Sequence, residues 1–184
     1  MRQLLKLHPD TRSFAAQGVE VEIARSRAGG LALSYVVTGI MNEVRIPPMK
    51  AAQRVDGLWQ HTCFEAFIRA PSGAKYYEFN FAPSKQWAAY RFGGYRSEMC
   101  VADEISAPTI EVRSSPDSFT LEASLELDNL LVLPRETSWR VGLSAIVEEM
   151  NGRKSYWALA HPPGKPDFHH ADGFAFELAP AAVP

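Results

Sequence analysis

The sequence predicts an all-β protein: an antiparallel β-sandwich of about ten or eleven strands, jelly-roll or immunoglobulin-like, with at most one short helix. Three observations carry that expectation. Apolar and polar residues alternate with a period of two along most of the chain. Turn-forming Gly, Pro, Asn and Ser clusters punctuate it at short intervals. Only one stretch, near Asp128 to Val132, has a helical pattern, and it is short.

Val19, Val21 and Ile23 interleave with Glu20 and Glu22, and Leu31, Leu33, Tyr35 and Val37 alternate with smaller or polar neighbours, so both segments read as strands. The segment from His61 to Phe92 reads as three consecutive antiparallel strands. The two-residue period returns in Phe119, Leu121, Ala123, Leu125 and Leu127, and again in Trp139, Val141, Leu143, Ala145 and Val147, where Trp139 opens the strand as a core residue. Turns fall at Ala28-Gly29-Gly30, Pro47-Pro48, Pro71-Ser72-Gly73, Gly93-Gly94, Ser115-Pro116-Asp117 and Asn151-Gly152, the last being the strongest hairpin signal. Pro47 to Val55 and Gly93 to Ala107 read as long loops, which on a sandwich often carry binding function.

Length and composition fit one domain spanning residues 1–184. The chain has 184 residues with 46% hydrophobic and 22% charged side chains, which supports a packed core and disfavours disordered or fibrous architectures. Nineteen basic against 21 acidic residues give a formal charge of -2, too little field to gather nucleic acid or an anionic membrane. No apolar run is long enough for a membrane span, and Met1 to His8 lacks the apolar stretch of a signal peptide, so a cytoplasmic site of action is expected. Cys63 and Cys100 form no CxxC pair and read as small hydrophobes rather than a disulfide or a zinc site.

The two faces of the His61 to Phe92 strands differ. With turns centred on Pro71-Ser72 and Pro83-Ser84, Glu65 lies opposite Glu78 and Glu78 opposite Ala89. One face then collects Phe64, Ala66, Ile68, Tyr77, Phe79, Phe81, Ala88, Tyr90 and Phe92 as core. The other collects Glu65, Phe67, Tyr76, Glu78, Asn80, Trp87, Ala89 and Arg91, too aromatic for bare solvent and too charged for an interior. It reads as a ligand surface. Trp87, Tyr76 and Phe67 offer flat walls to a sugar ring or planar cofactor, Glu65, Glu78 and Asn80 take its polar groups, Arg91 bridges the carboxylates, and Trp59 is a rim platform or a plug. Alternatively a loop covers this face, and Glu65, Glu78 and Arg91 form a buried ion network.

His161, Asp167, His169 and His170 lie in the run HPPGKPDFHHADGF, and imidazole with carboxylate is a donor set for a structural or catalytic divalent metal. No HExxH, GxSxG, Walker or dinucleotide fingerprint is present. Glu65 and Glu78 on neighbouring strands stand closer than most glycosidase pairs require.

The segments LWQHTCFEAFI, YYEFNFAPSKQWAAYRF and SYWALAHPPGKPDFHHADGFAFEL resemble the DOMON-like proteins, which are related in fold to carbohydrate-binding module family nine. The resemblance runs roughly from Leu4 to Leu178. It implies a β-sandwich whose relatives bind sugars or haem, and it maps an acidic strand position onto Glu65, its partner strand onto Glu78 and Asn80, and a sugar-binding Trp onto Trp59. His61-Thr62 stands where relatives have acidic residues, which argues against inherited calcium. For haem the relatives use an axial methionine with histidine or lysine; here Met41, Met49, Met99 and the histidines are candidates by residue type. The leading expectation is therefore a non-catalytic module for a carbohydrate or sugar-like small molecule. Beside it stand a metal-dependent enzyme built on the C-terminal histidines, a haem binder, and a module whose aromatic face binds another protein.

Overall fold

The computed structural model describes residues 1–26, 29–127, 130 and 132–181. In these the chain forms twelve strands: β1 (Arg2–Leu7), β2 (Ala16–Arg25), β3 (Gly30–Gly39), β4 (Cys63–Arg69), β5 (Tyr76–Phe81), β6 (Trp87–Phe92), β7 (Cys100–Val101), β8 (Thr109–Ser114), β9 (Ser118–Glu126), β10 (Trp139–Glu148), β11 (Lys154–Ala158) and β12 (Phe176–Leu178). Three single 3-10 turns, at Met41–Glu43, Leu58–Gln60 and Ala171–Gly173, are the helical elements among the described residues. The helix expected near Asp128 to Val132 falls largely on residues 128, 129 and 131, outside the described part, as does Ala28 of the first turn signal.

The pairings between these strands are antiparallel and run without a break in the order β7-β6-β5-β4-β10-β11-β1-β2-β3-β9-β8, with β12 added on β10. The expected two separate sheets are thus one curled sheet, joined where β1 pairs β11 through Lys6 and Leu7 and pairs β2 through Arg2 to Leu5. The curl brings the apolar faces of its two halves together. Val19, Val21, Ile23, Leu33, Tyr35, Phe119 and Leu121 from one half join Phe64, Ala66, Ile68, Phe79, Phe81, Val141, Leu143 and Ala145 from the other in one core. Tyr35 spans the seam: its ring lies 5.1 Å from that of Phe64, and its hydroxyl donates to the carbonyl of Glu65 at 2.7 Å. Each buried large side chain here is worth roughly 1.5–3 kcal/mol of apolar transfer. Trp139 is 1% exposed at the head of β10, as its alternating strand requires.

Register decides which side chains reach the outer face. In β4 and β5, Glu65 pairs with Asn80 and Phe67 with Glu78, two residues from the expected register, because residues 70–75 make a longer loop than a Pro71-Ser72 turn. A two-residue slip keeps every side chain on its face. Between β5 and β6 the slip is one residue, since Glu78 pairs with Tyr90 and Phe79 with Ala89. The cause is the loop. Ala82 N–H donates to the Gln86 carbonyl at 2.9 Å, Lys85 N–H donates to the Ala82 carbonyl at 3.0 Å, and Lys85 sits at φ 69. This is a three-residue connection ending in a left-handed residue, a conformation normally given to glycine. Met150-Asn151-Gly152 turns in the same way between Glu149 and Arg153, with Gly152 at φ 84.

The outer face of β4, β5 and β6 carries a second apolar cluster, including Phe67, Tyr76, Ala88, Tyr90 and Phe92, with Phe174 packed on it. The C-terminal segment lies over it. A Cβ on Gly142 would stand 3.0 Å from the Gly173 carbonyl oxygen, so the bare glycine in β10 lets the last 3-10 turn settle onto the sheet.

Candidate functional site

Five adjacent strands lay outward residues beneath a hollow: Tyr90 and Phe92 of β6, Glu78 of β5, Glu65 of β4, Ile146 of β10 and Tyr156 of β11. Four strand spacings put the two tyrosines about 19 Å apart along a flat sheet, less along a curled one. At one end Trp59, carried by the Leu58–Gln60 turn, sets its ring 6.2 Å from Tyr90 at 74°. At the other, Phe168 stands 6.2 Å from Tyr156. Phe92 and His169 are in edge contact at 5.1 Å, and Arg96 and Met99 come from the loop after β6. These groups enclose about 380 Å³, within the range of small-molecule pockets.

The floor is acidic and buried. Glu65 is 3% exposed and Glu78 6% exposed. Ser144 Oγ donates to Oε2 of Glu65 at 3.1 Å, and Asn80 Nδ2 donates to Oε1 of Glu78 at 2.7 Å. Burial, reinforced by neighbouring Glu78, holds the Glu65 carboxyl well above the usual carboxylate range. Burial likewise pushes Glu78 up to about 7, against the opposing pull of Asn80 and Arg96. Burial moves His169 the other way, down to about 4, with Arg96 adding to the effect. The 3.7 Å approach of His169 Nε2 to Glu78 Oε2 has ion-pair distance without ion-pair character, because the imidazole is neutral wherever the carboxylate is ionised.

Two latches hold the rim. The Tyr76 hydroxyl lies 2.8 Å from His169 Nδ1 and accepts the Arg96 backbone N–H at 3.3 Å. Asp167 accepts from Tyr95 OH at 2.5 Å and from Arg96 Nη2 at 2.8 Å, clamping the loop after β6 to the C-terminal loop. Arg96 at φ 48 and Glu98 at φ 51 adopt left-handed backbone, a cost of about 1–2 kcal/mol each that the surrounding contacts sustain.

Of the residues singled out in the sequence, Glu65, Glu78 and Trp59 border the hollow, Asn80 supports Glu78 from beneath, and Tyr76 positions His169. The one-residue slip corrects two others. Trp87 is 4% exposed in the main core, with the Arg54 guanidinium 4.4 Å over its ring, and is neither a sugar wall nor an exposed docking residue. Arg91 pairs with Glu104 at 3.0 Å on the side of Tyr77, so it does not bridge Glu65 and Glu78. Ala88, Tyr90 and Phe92 exchange faces with Trp87, Ala89 and Arg91 for the same reason.

The histidine run is dispersed. His161 Nε2 donates to the Lys6 carbonyl at 2.8 Å and its ring packs 4.8 Å from His8; His170 Nδ1 accepts from Asp172 N–H at 3.3 Å; Asp167 serves Arg96. Among the described residues no group of three or more His, Cys, Asp or Glu side chains is placed to hold one metal ion, so this set does not assemble a divalent site. Nor do the residues fit axial haem ligation. Met41 is buried in the core and Met49 is 69% exposed; Met99 and His169 share the hollow, but both nitrogens of His169 face Tyr76 and Glu78. Cys63 is buried and Cys100 exposed, both as free thiols.

Tyr156, Phe168, Ile146 and Arg96 were not singled out in the sequence, and Met99 was named there only as a haem-ligand candidate by residue type. The adjacent aromatics Tyr156-Trp157 carried a usable signal, since neighbours on a strand point to opposite faces and Trp157 fills the core. Nothing local marks Arg96.

No protein-family model and no curated protein sequence matches the chain. Its fold is similar to that of solved structures. A protein of Bacteroides uniformis to which carbohydrate binding is ascribed superposes with a TM-score of 0.69 at 14% identity, covering 94% of this chain and 83% of that one. A carbohydrate-binding module of family 9 from Caldicellulosiruptor kristjanssonii, solved with glucose, gives 0.51 at 12% identity over 89% and 76%. The chain therefore has a fold related to that of family 9 modules.

Proposed function

We propose that this chain is a non-catalytic carbohydrate-binding module, a single sandwich-type domain of the DOMON-like group, that takes a saccharide in the hollow above Glu65 and Glu78. The observation that carries the reading is a floor of two buried carboxyls flanked at both ends by aromatic rings. Trp59, Tyr90, Tyr156 and Phe168 suit the weakly polar faces of pyranose rings, while Glu65 and Glu78 take hydroxyls. The glucose bound by a family 9 module of similar fold agrees with that chemistry. Hydrolysis would need one firmly ionised carboxylate, and burial lifts both acids instead.

A thermal-melt panel of glucose, glucan and chitin oligomers, amino sugars and peptidoglycan fragments tests this. A saccharide at ten times its dissociation constant adds about 1.4 kcal/mol, a readable shift. The expected result is a shift with at least one saccharide that disappears in Trp59→Ala. A flat panel overturns the reading.

A further inference from the structure

The floor of the hollow has more hydrogen-bond acceptor capacity than the protein uses. Glu65 Oε2 takes Ser144, but its Oε1 accepts no hydrogen bond from any described residue, although the side chain is nine-tenths buried and borders the hollow. Glu78 Oε1 takes Asn80, while Oε2 faces only His169 Nε2, beyond hydrogen-bond reach at 3.7 Å. Arg96 lines the same hollow and its charge reaches both acids, but it hydrogen-bonds to neither. Arg96 spends its Nε and Nη2 on Asp167, and Arg91 is turned to Glu104 on the opposite side of the sheet.

The remaining titratable groups around Glu78 are Cys63 from β4, Tyr76 from its own strand, Tyr90 from β6 and His169 from the C-terminal loop. Burial keeps each of them uncharged near neutral pH. Around the acids stand Trp59, Tyr90, Phe92, Tyr156 and Phe168. Rings enclosing buried carboxyls favour a cation, which gains from ring faces and carboxylate together, whereas a neutral hydroxyl gains little from the rings' quadrupoles.

We propose that the saccharide this site takes is an amino sugar, its pyranose ring against the aromatic ends and its free ammonium on Glu65 and Glu78. The inference rests on the carbohydrate-binding reading and adds the ligand's charge to it. Binding drives the proton off Glu78, since a cation beside it favours the carboxylate. The amine competes with that proton at low pH and loses its own charge at high pH, so affinity has a maximum near neutrality and falls about tenfold per pH unit on the acid side. A neutral sugar has no such maximum.

The test is calorimetric titration of the full chain with glucosamine oligomers, their N-acetylated counterparts and glucose oligomers, from pH 5 to 8.5, in buffers of differing ionisation heat. The expected result is at least tenfold tighter binding of the free amine than of its N-acetyl form near pH 7. Proton release should accompany it, and Glu78→Gln should abolish both the preference and the release. Neutral oligomers binding as tightly as the amine, in wild type and Glu78→Gln alike, overturn the amino-sugar inference and leave the carbohydrate reading standing. No binding by any of the three overturns both. Trp59→Ala separates the two claims, since it is expected to weaken every saccharide and not the amine alone.

Discussion

The Tyr76 hydroxyl stands 2.8 Å from Nδ1 of His169, a contact that joins β5 to the C-terminal loop across 93 residues of sequence. The His169 ring borders both the main hollow and a second one, of about 340 Å³, lined by Arg69, Tyr95 and His170 among others. His169 is therefore a partition, held in place by one hydroxyl and by edge contacts at 5.1 Å with Phe67 and Phe92.

Tyr76→Phe is expected to cost about 1–2 kcal/mol, because it leaves a largely buried imidazole nitrogen and the Arg96 N–H without their shared partner. The check is a double-mutant cycle with His169→Phe by urea unfolding. If the two residues act through their contact, the double variant loses less than the sum of the singles. Strict additivity would show that the latch carries no energy.

The buried acids and the buried histidine oppose one another in pH. Glu78 has a folded value of about 7 against 4.5 when exposed, so between these values the folded state binds more protons and stability falls as pH rises. His169 is lowered from 6.5 to about 4, so the unfolded state binds more protons there and stability is lost as pH falls through that window. The two slopes partly cancel in the wild type, with Glu65 adding to the fall. His169→Gln is expected to make stability decline more steeply between pH 4.5 and 6.5, and Glu78→Gln to make it decline less or rise. Melting temperatures over pH 4.5 to 7.5 check it, and parallel profiles for the two variants contradict the assignment.

Trp59 and Trp87 separate binding from folding. Trp59 is 41% exposed and touches Tyr90 by its edge, so its loss is expected to change stability by about 1 kcal/mol or less while weakening saccharide binding. Trp87 is 4% exposed, and the Arg54 guanidinium over its ring also donates to the Ala102 and Ile105 carbonyls. Trp87→Ala is expected to cost about 3–5 kcal/mol by opening a cavity and freeing that strap. Chemical denaturation of the two variants side by side decides the point.

That contrast shows how far the sequence could be read. Strands with strict alternation, such as Val19 to Ile23 and Phe119 to Leu127, declare their inward face locally, and the structure places those residues in the core. Around Glu65, Glu78 and Asn80 the pattern of carboxylates among aromatics identified the polar face of β4 and β5 even with the register two residues off, because such a slip preserves faces. In β6 both faces are apolar, Trp87 and Ala89 against Ala88 and Tyr90, so alternation held no information and the loop alone decided. Arg96 and Phe168 enter the hollow from loops far apart in sequence. The latches on Tyr76 and Asp167 and the packing over Gly142 bring them there, and no local spacing encodes any of the three.

Lys85 is the residue on which the β6 register turns. It occupies φ 69 while its backbone N–H donates to the Ala82 carbonyl, and its ammonium lies 3.2 Å from Glu111. Glycine removes the left-handed cost of about 1–2 kcal/mol and forfeits an exposed ion pair worth about 0–1 kcal/mol, so Lys85→Gly is expected to be neutral or stabilising by up to about 1 kcal/mol. Proline fixes φ near −65° and has no N–H, so Lys85→Pro is expected to cost about 3 kcal/mol or more. Deleting Lys85 is more severe than either. The loop shortens by one residue, β6 turns over, and Trp87 and Ala89 move to the outer face while Tyr90 and Phe92 are driven into the core. Urea midpoints should rank Lys85→Gly at or above wild type and Lys85→Pro well below it, with no cooperative transition for the deletion. A deletion variant that unfolds cooperatively near the wild-type midpoint would show that the strand, and not its loop, sets the face.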